Sequence, residues 1–259
     1  MELATRIVSI ERGRDPRELT FIAFGGSGPV HGCRLAQALG IPRVILPAAA
    51  GVTAAIGLLA AEVRFDVART FVRRLDALDP RALTTMFDEM AAQAMAVVRD
   101  SGPTTPVTLA RSVDARYVGQ GYELTVPVPA GDLDAAALAR IRASFDDVYA
   151  ARYGYANATE PVETVTWKLA AVGGAPRVAL AKATSEARDG GLKGRRRAWF
   201  PETHGWAECA VYDRYALAPG SRLEGPAIVE ERESTSVLPP GVVAAVDEYA
   251  NLLVEVPAR

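Results

Sequence analysis

The apolar positions change their period several times along the chain, and each change marks an element. Over residues 2–12, Leu3, Ile7, Val8 and Ile10 recur at roughly helical spacing, ended by Gly13 and the Asp15-Pro16 turn. Leu19-Thr20-Phe21-Ile22-Ala23-Phe24 is almost wholly apolar with β-branched and aromatic members, which predicts a buried strand. Gly25 and Gly26 break that strand, Pro29 sits where a helix opens, and Gly40 closes the helix near residue 39. Residues 41–47 read as a second short buried strand, and the small residues of 51–61 as a closely packing helix. The order α-β-α-β-α implies a sheet covered by helices.

The character changes after Glu62. Residues 63–75 read as extended, and Asp79-Pro80 opens a long amphipathic helix with Leu83, Phe87, Met90, Ala94, Val97 and Val98 on one stripe. Val113, Ala115 and Tyr117 alternate with polar residues; after Gly119-Gln120-Gly121 the alternation resumes at Tyr122, Leu124, Val126 and Val128, a two-strand unit. A helix over 134–151 turns Leu138, Ile141, Phe145, Val148 and Tyr149 inward, and residues 162–172 return as a strand. The polar, Gly-rich, basic stretch 184–197 reads as a mobile loop, and short strands between Pro and Gly turns run to Leu252-Leu253-Val254-Glu255-Val256. A division near residues 62–76 is expected, between an α/β piece (1–70) and an α+β domain (71–259) whose last third is mainly β.

Composition narrows the function classes. Hydrophobic residues make up 49% and charged residues 23% of the 259, values typical of a globular chain with a real core. A net charge of -2 gives no electrostatic case for nucleic acid or an anionic membrane. Cys33 and Cys209 lie far apart with no second Cys or His at metal spacing, so neither a disulfide framework nor a metal site is expected. No apolar run reaches the roughly 18 residues of a membrane span, and Met1-Glu2-Leu3-Ala4-Thr5-Arg6 does not read as a signal peptide. A cytoplasmic location follows as the expectation.

The feature with most chemical content is the corner Gly25-Gly26-Ser27-Gly28-Pro29. Glycine has no Cβ to hold a ligand away, and a helix start leaves backbone N–H groups unpaired, so such corners suit anions or the sugar and base of a nucleotide. The same turn also serves simple close packing, and the residues alone leave both readings open.

The run Val8-Ser9-Ile10-Glu11-Arg12-Gly13 through that corner resembles the end of the ATPase domain in the hydantoinase A / 5-oxoprolinase family. So do Gly40-Ile41-Pro42-Arg43-Val44-Ile45-Leu46-Pro47 and Gly51-Val52-Thr53-Ala54-Ala55-Ile56-Gly57-Leu58. In the second half, Asp114-Ala115-Arg116-Tyr117-Val118-Gly119-Gln120-Gly121-Tyr122-Glu123-Leu124, Arg152-Tyr153-Gly154-Tyr155, Gly225-Pro226-Ala227-Ile228-Val229-Glu230 and Leu238-Pro239-Pro240-Gly241 resemble that family's C-terminal domain. The likeness runs through nearly the whole chain in order. It implies the C-terminal part of an actin-like (ribonuclease H-like) ATPase domain followed by an α+β domain.

That family includes ATP-dependent hydantoin and lactam hydrolases and the β subunits of acetone-type carboxylases. The resemblance therefore implies ATP with Mg as cofactor. Gly25, Gly26, Ser27 and Gly28 would line the adenosine side of the pocket. No glycine-rich phosphate loop precedes Leu19, so the phosphate and metal side is expected from another chain, an N-terminal ATPase half, or from a segment missing here, with a hydantoinase B-type subunit as further partner. A non-catalytic assembly module is the alternative reading.

His31, two residues past Pro29, is the one catalytic candidate, though it also suits packing against the turn. His204 reads as a turn residue. Glu62 suits either a pocket contact or a salt bridge with Arg64 or Arg69, the simpler reading. Asp114, Arg116 and Glu123 suit cross-strand charge pairs. Lys193-Gly194-Arg195-Arg196-Arg197 reads as a solvated stretch with too few neighbouring aromatics for base stacking. No triad, HExxH or CxxC pattern occurs.

Overall fold

The structure is a computed structural model that describes residues 1–10, 13–102, 106–176, 178–183 and 190–257. Glu11 and Arg12 of the first family-like run, and residues 184–189 of the expected loop, lie outside the described residues. The helices are α1 (Glu2–Ile10), α2 (Gly28–Leu39), α3 (Thr53–Leu59), α4 (Pro80–Asp100) and α5 (Ala135–Tyr153). The strands run β1 (Thr20–Ile22), β2 (Arg43–Leu46), β3 (Arg64–Arg74), β4 (Thr108–Tyr117), β5 (Leu124–Val128), β6 (Val162–Val172) and β7 (Leu192–Phe200). They continue with β8 (Gly205–Asp213), β9 (Arg222–Glu224), β10 (Ala227–Glu230), β11 (Thr235–Leu238), β12 (Val243–Val246) and β13 (Leu252–Glu255).

The chain packs as two compact units, Met1–Leu59 with Val178–Arg259, and Ala60–Arg177. Position 70/71 falls inside β3, and the N-terminal segment pairs with a C-terminal strand, β2 with β13.

In the middle unit, an antiparallel sheet of order β3-β6-β4-β5 carries α4 and α5 on one face. Both helices begin on an aspartate whose carboxylate accepts an amide of the first turn: Asp79 from Arg81 at 3.0 Å, Asp134 from Ala137 at 2.7 Å. Leu83, Phe87, Met90, Ala94 and Val98 of α4, and Ala137, Ile141, Phe145 and Tyr149 of α5, are buried against Trp167, Leu169 and Val113 of the sheet. Val97 faces outward instead, at the margin of the α4 stripe. On the sheet's other face the charges pair across strands. Asp114 accepts from Thr125 Oγ1 at 2.6 Å and pairs with Lys168 at 2.6 Å, while Arg116 meets Glu163 at 2.8 Å and Glu123 at 3.4 Å.

The other unit contains a five-stranded sheet, β1-β2-β13-β12-β9, and a four-stranded one, β11-β10-β8-β7. β1 and β2 are parallel and are joined by α2, a βαβ unit; β13 then pairs antiparallel to β2 with Leu46 opposite Leu252 and Val44 opposite Val254. Cys33, Ala36 and Leu39 of α2 share one core with Val44, Leu46, Ala244, Leu252 and Val254 of the first sheet and Ala227, Val229 and Leu238 of the second. The strand expected to be buried at 19–24 is an edge strand. Leu19, Ile22 and Phe24 are 43%, 54% and 49% exposed, and only Ala23 is fully buried. The basic run 193–197 is not a loop but strand β7, paired antiparallel with β8. Its basic residues are exposed on both faces of the strand: Lys193 and Arg196 reach Glu230, and Arg195 reaches Glu208.

Gly225 shows why the Gly-Pro and Leu-Pro-Pro-Gly segments belong together. A Cβ at Gly225 would stand 1.9 Å from the Pro239 carbonyl oxygen, and the Gly225 amide donates to Val242 at 2.9 Å. Gly225→Ala is therefore expected to cost about 1–3 kcal/mol or more through overpacking. Gly57→Ala, in α3 with open space where the methyl would go, is expected to be neutral or stabilising by up to about 1 kcal/mol. Urea unfolding of the two variants beside the parent chain checks both signs.

Candidate functional site

The corner is built from three constraints. Strand β1 ends with Ala23 donating to the Ile45 carbonyl at 3.0 Å, which extends the parallel ladder one residue past Ile22. Gly25 then takes a φ of +87°, open to glycine at little cost, and its amide donates to the Ala50 carbonyl at 2.7 Å. Helix α2 lies close on the strand because Gly32 faces Ala23; a Cβ there would come within 2.6 Å of the Ala23 methyl. Between these anchors Gly26 and Ser27 are exposed. Ser27 stands at the helix cap with φ -111°, but its hydroxyl makes no capping hydrogen bond, and Pro29 is buried in the first turn. Among the described residues, the amides of Gly26 and Ser27 have no partner within the chain. A Cβ built at Gly25 or Gly26 meets nothing within 4 Å, so the bend opens outward.

It is an open wall rather than an enclosed cavity. Concavities of this unit lie elsewhere: one of about 770 Å³ between Ile10, the 13–17 turn and the end of α2, one of about 420 Å³ beside Lys193, Tyr215 and Arg232, and one of about 360 Å³ over β2, β12 and β13.

Behind the bend runs the segment 46–52, which ends β2 and precedes α3. Ala49 has a φ of +54°, an uncommon conformation for a residue with a side chain. The Ala50 amide donates to Glu231 Oε2 at 3.2 Å, the Ala48 amide to Asn251 Oδ1 at 3.1 Å, and Arg214 Nη2 to the Leu46 carbonyl at 2.7 Å. Arg214 and Glu231 form an ion pair at 3.4 Å with side chains 2% and 0% exposed. Burial pushes the Glu231 carboxyl up and the Arg214 guanidinium down, each opposed by the partner's charge. Gly51 lies directly against Glu233, whose carbonyl oxygen would be 2.4 Å from a Cβ. None of this was visible in the periodicity. The only hint is the charged run Glu230-Glu231-Arg232-Glu233 between two apolar strands, of which one member turns inward.

The remaining candidates are placed as follows. His31 is exposed on the first turn of α2, on the same corner as Gly25–Gly28, and its imidazole has no hydrogen-bond partner among the described residues. His204 closes the turn between β7 and β8 with φ +50°. Glu62 does not take the expected partners: Arg64 donates to Asp66 at 2.7 and 2.8 Å, and Arg69 pairs with Glu89. Gln120, in the Gly119–Gly121 turn, donates to the Tyr149 hydroxyl at 2.8 Å. Among the described residues no three His, Cys, Asp or Glu side chains are placed to hold a metal ion, and no helix is long and apolar enough to cross a membrane.

Both thiols are buried, and burial pushes Cys33 up to about 12 and Cys209 upward as well. Since the thiolate is the nucleophile, iodoacetamide at mild alkaline pH is expected to label the native chain at under about a hundredth of the rate seen in denaturant. Mass spectrometry of the two labelled peptides reads this directly.

The family profile of the hydantoinase/oxoprolinase C-terminal domain matches residues 75–255, and that of hydantoinase/oxoprolinase matches residues 1–67. An uncharacterized protein of Methanocaldococcus jannaschii is 34% identical over 98% of this chain and 36% of its own length. The caprolactamase subunit alpha of Pseudomonas jessenii is 29% identical over 95% of this chain and 36% of its own. The chain thus spans about a third of the length of these relatives. A nucleotide-free structure of acetone carboxylase, from work on ATP-dependent acetone carboxylation, superposes with a TM-score of 0.77 at 21% identity. That match covers 98% of this chain and 38% of the other, and establishes a shared mixed α/β fold with several sheets.

Proposed function

The chain belongs to the hydantoinase/oxoprolinase family, and from that premise we propose that it supplies the adenosine side of a composite ATP site in a cyclic amide hydrolase or a related ketone carboxylase. In this reading residues 1–70 close an actin-like ATPase domain, and residues 71–259 form the C-terminal α+β domain that makes subunit contacts. The observation that carries the proposal is the open bend at Gly25–Gly28: an exposed, Cβ-free turn at a helix start, with amides at Gly26 and Ser27 and a Ser27 hydroxyl free to meet a ligand.

ATP would supply a transferable phosphoryl group, which turns an unreactive amide, enol or bicarbonate oxygen into an activated one. This chain's residues would do less: the bend orients the nucleoside, and His31 stands beside it on the first turn of α2. The triphosphate and Mg need donors and carboxylates that the bend does not have, because Arg34 of the same helix is held by Glu202 at 2.8 Å. They would come from an N-terminal ATPase half, with a hydantoinase B-type subunit completing the reaction.

A second reading, an assembly module without a share in nucleotide binding, draws on the exposed apolar surface. Leu3, Val8, Ile10, Leu58 and Leu59 are all exposed, and neither α1 nor α3 has a buried residue.

One experiment separates the two. The chain is co-expressed with a candidate ATPase half carrying a glycine-rich phosphate loop, and ATP turnover is measured with cyclic amides, or with ketones plus bicarbonate. Gly26→Phe places a ring on the open face without a positive-φ penalty, so the complex is expected to assemble and to lose at least about 90% of turnover, a barrier increase of about 1.4 kcal/mol or more. Assembly with unchanged turnover removes the nucleotide role and leaves the assembly module.

A further inference from the structure

The buried ion pair behind the corner has no role in the reading above. Taking two charges out of water costs several kcal/mol per ion by general estimates, and apolar residues of equal volume usually stabilise a core as well or better. The Arg214–Glu231 pair is also imperfectly satisfied, since Arg214 Nε and Nη1 and Glu231 Oε1 lack hydrogen bonds among the described residues. Stability alone is therefore a weak reason for it. What apolar side chains could not provide is a buried acceptor for the Ala50 amide and a buried donor for the Leu46 carbonyl. Ala50 is fully buried, so no water replaces Glu231.

We propose that Arg214 and Glu231 are positioning residues for the glycine bend, so that nucleotide affinity at Gly25–Gly28 is set from the hairpin joining β10 and β11. The inference rests on the nucleotide reading of that bend. The relay is short. Glu231 Oε2 accepts the Ala50 amide at 3.2 Å, and the Ala50 carbonyl accepts the Gly25 amide at 2.7 Å. Arg214 fixes the other end of the segment at Leu46 by a 2.7 Å bond. Between the two grips Ala49 is held at φ +54°, a conformation that persists only where its surroundings impose it. Gly51 lets the hairpin approach, for any side chain there would collide with the Glu233 backbone. Ser234 donates to the same Glu231 oxygen at 3.3 Å and orients the carboxylate. Gly25 precedes α2, and its amide hydrogen bond to Ala50 is the tie between the bend and the 46–52 segment.

The test compares Glu231→Ala, which removes the acceptor, with Glu231→Gln, which keeps an oxygen there. Amide hydrogen exchange in the full chain is read by NMR at Gly25 and Ala50, with β12 and β13 amides as internal reference. Loss of a charged hydrogen bond predicts exchange at Gly25 and Ala50 faster by about tenfold or more in Glu231→Ala, within about threefold of the parent in Glu231→Gln, and little changed in the reference strands. In the assembled complex, Glu231→Ala is expected to raise KM for ATP about tenfold with kcat altered less than about twofold.

Equal acceleration throughout the unit, or unchanged exchange at Gly25, overturns the inference. If Gly26→Phe abolishes turnover while Glu231→Ala leaves KM unchanged, positioning fails and the nucleotide reading stands. If Glu231→Ala loosens Gly25 while Gly26→Phe leaves turnover intact, the nucleotide reading fails, and with it the claim on affinity. Should Glu231→Ala not fold, Glu231→Asp, one methylene short of Ala50, is held to the same outcomes.

Discussion

The pairing of β13 with β2 is the contact on which the corner depends. It brings Leu252, Leu253 and Val254 beside Leu46, Ile45 and Val44, residues from opposite ends of the chain. β2 and the short parallel strand β1 could not stand alone, because two strands and one helix bury too little to offset the entropy of ordering them. With β13, β12 and β9 added, the sheet has a face large enough to pack α2 and the second sheet in one core. The glycine bend then inherits a fixed position from strands that lie some two hundred residues downstream in sequence. This explains why a single compact unit takes its parts from residues 1–59 and 178–259.

Elements whose cause is local were legible in the sequence. Helix α5 is delimited by Asp134, which accepts from Ala137, and by Gly154 at φ +83°, and its inward residues follow the helical period. The corner itself was legible for the same reason: an apolar strand, two glycines and a proline state a turn in six residues. What escaped was set by neighbours. β1 is as apolar as a central strand, yet it lies at an edge, so its composition predicted burial that Ile22 and Phe24 do not have. The basic residues of β7 suggested a loop because a strand exposed on both faces has no apolar alternation, and only its pairing with β8 makes it a strand. Glu231 and Arg214 are the clearest case. A buried charge has no periodic signature, and its meaning lies in backbone groups of a segment far away in the chain.

The open edge of β1, the exposed apolar residues of α1 and α3, and the unpaired amides of the bend share one implication. Each is a group that ordinarily finds a partner: an edge strand its neighbour, an apolar side chain its core, an amide its acceptor. All three occur in the unit that contains the bend. The chain spans about a third of the relatives it matches, and the composite site proposed above would use these groups together.

The most direct measurement is photolabelling of the assembled complex with an azido-adenosine triphosphate, followed by peptide mapping of this chain. The account predicts a label, displaced by excess ATP, in the tryptic peptide of residues 18–34, which carries Gly25, Gly26, Ser27 and Gly28. A displaceable label confined to the other polypeptide, or to a different part of this chain, would contradict it.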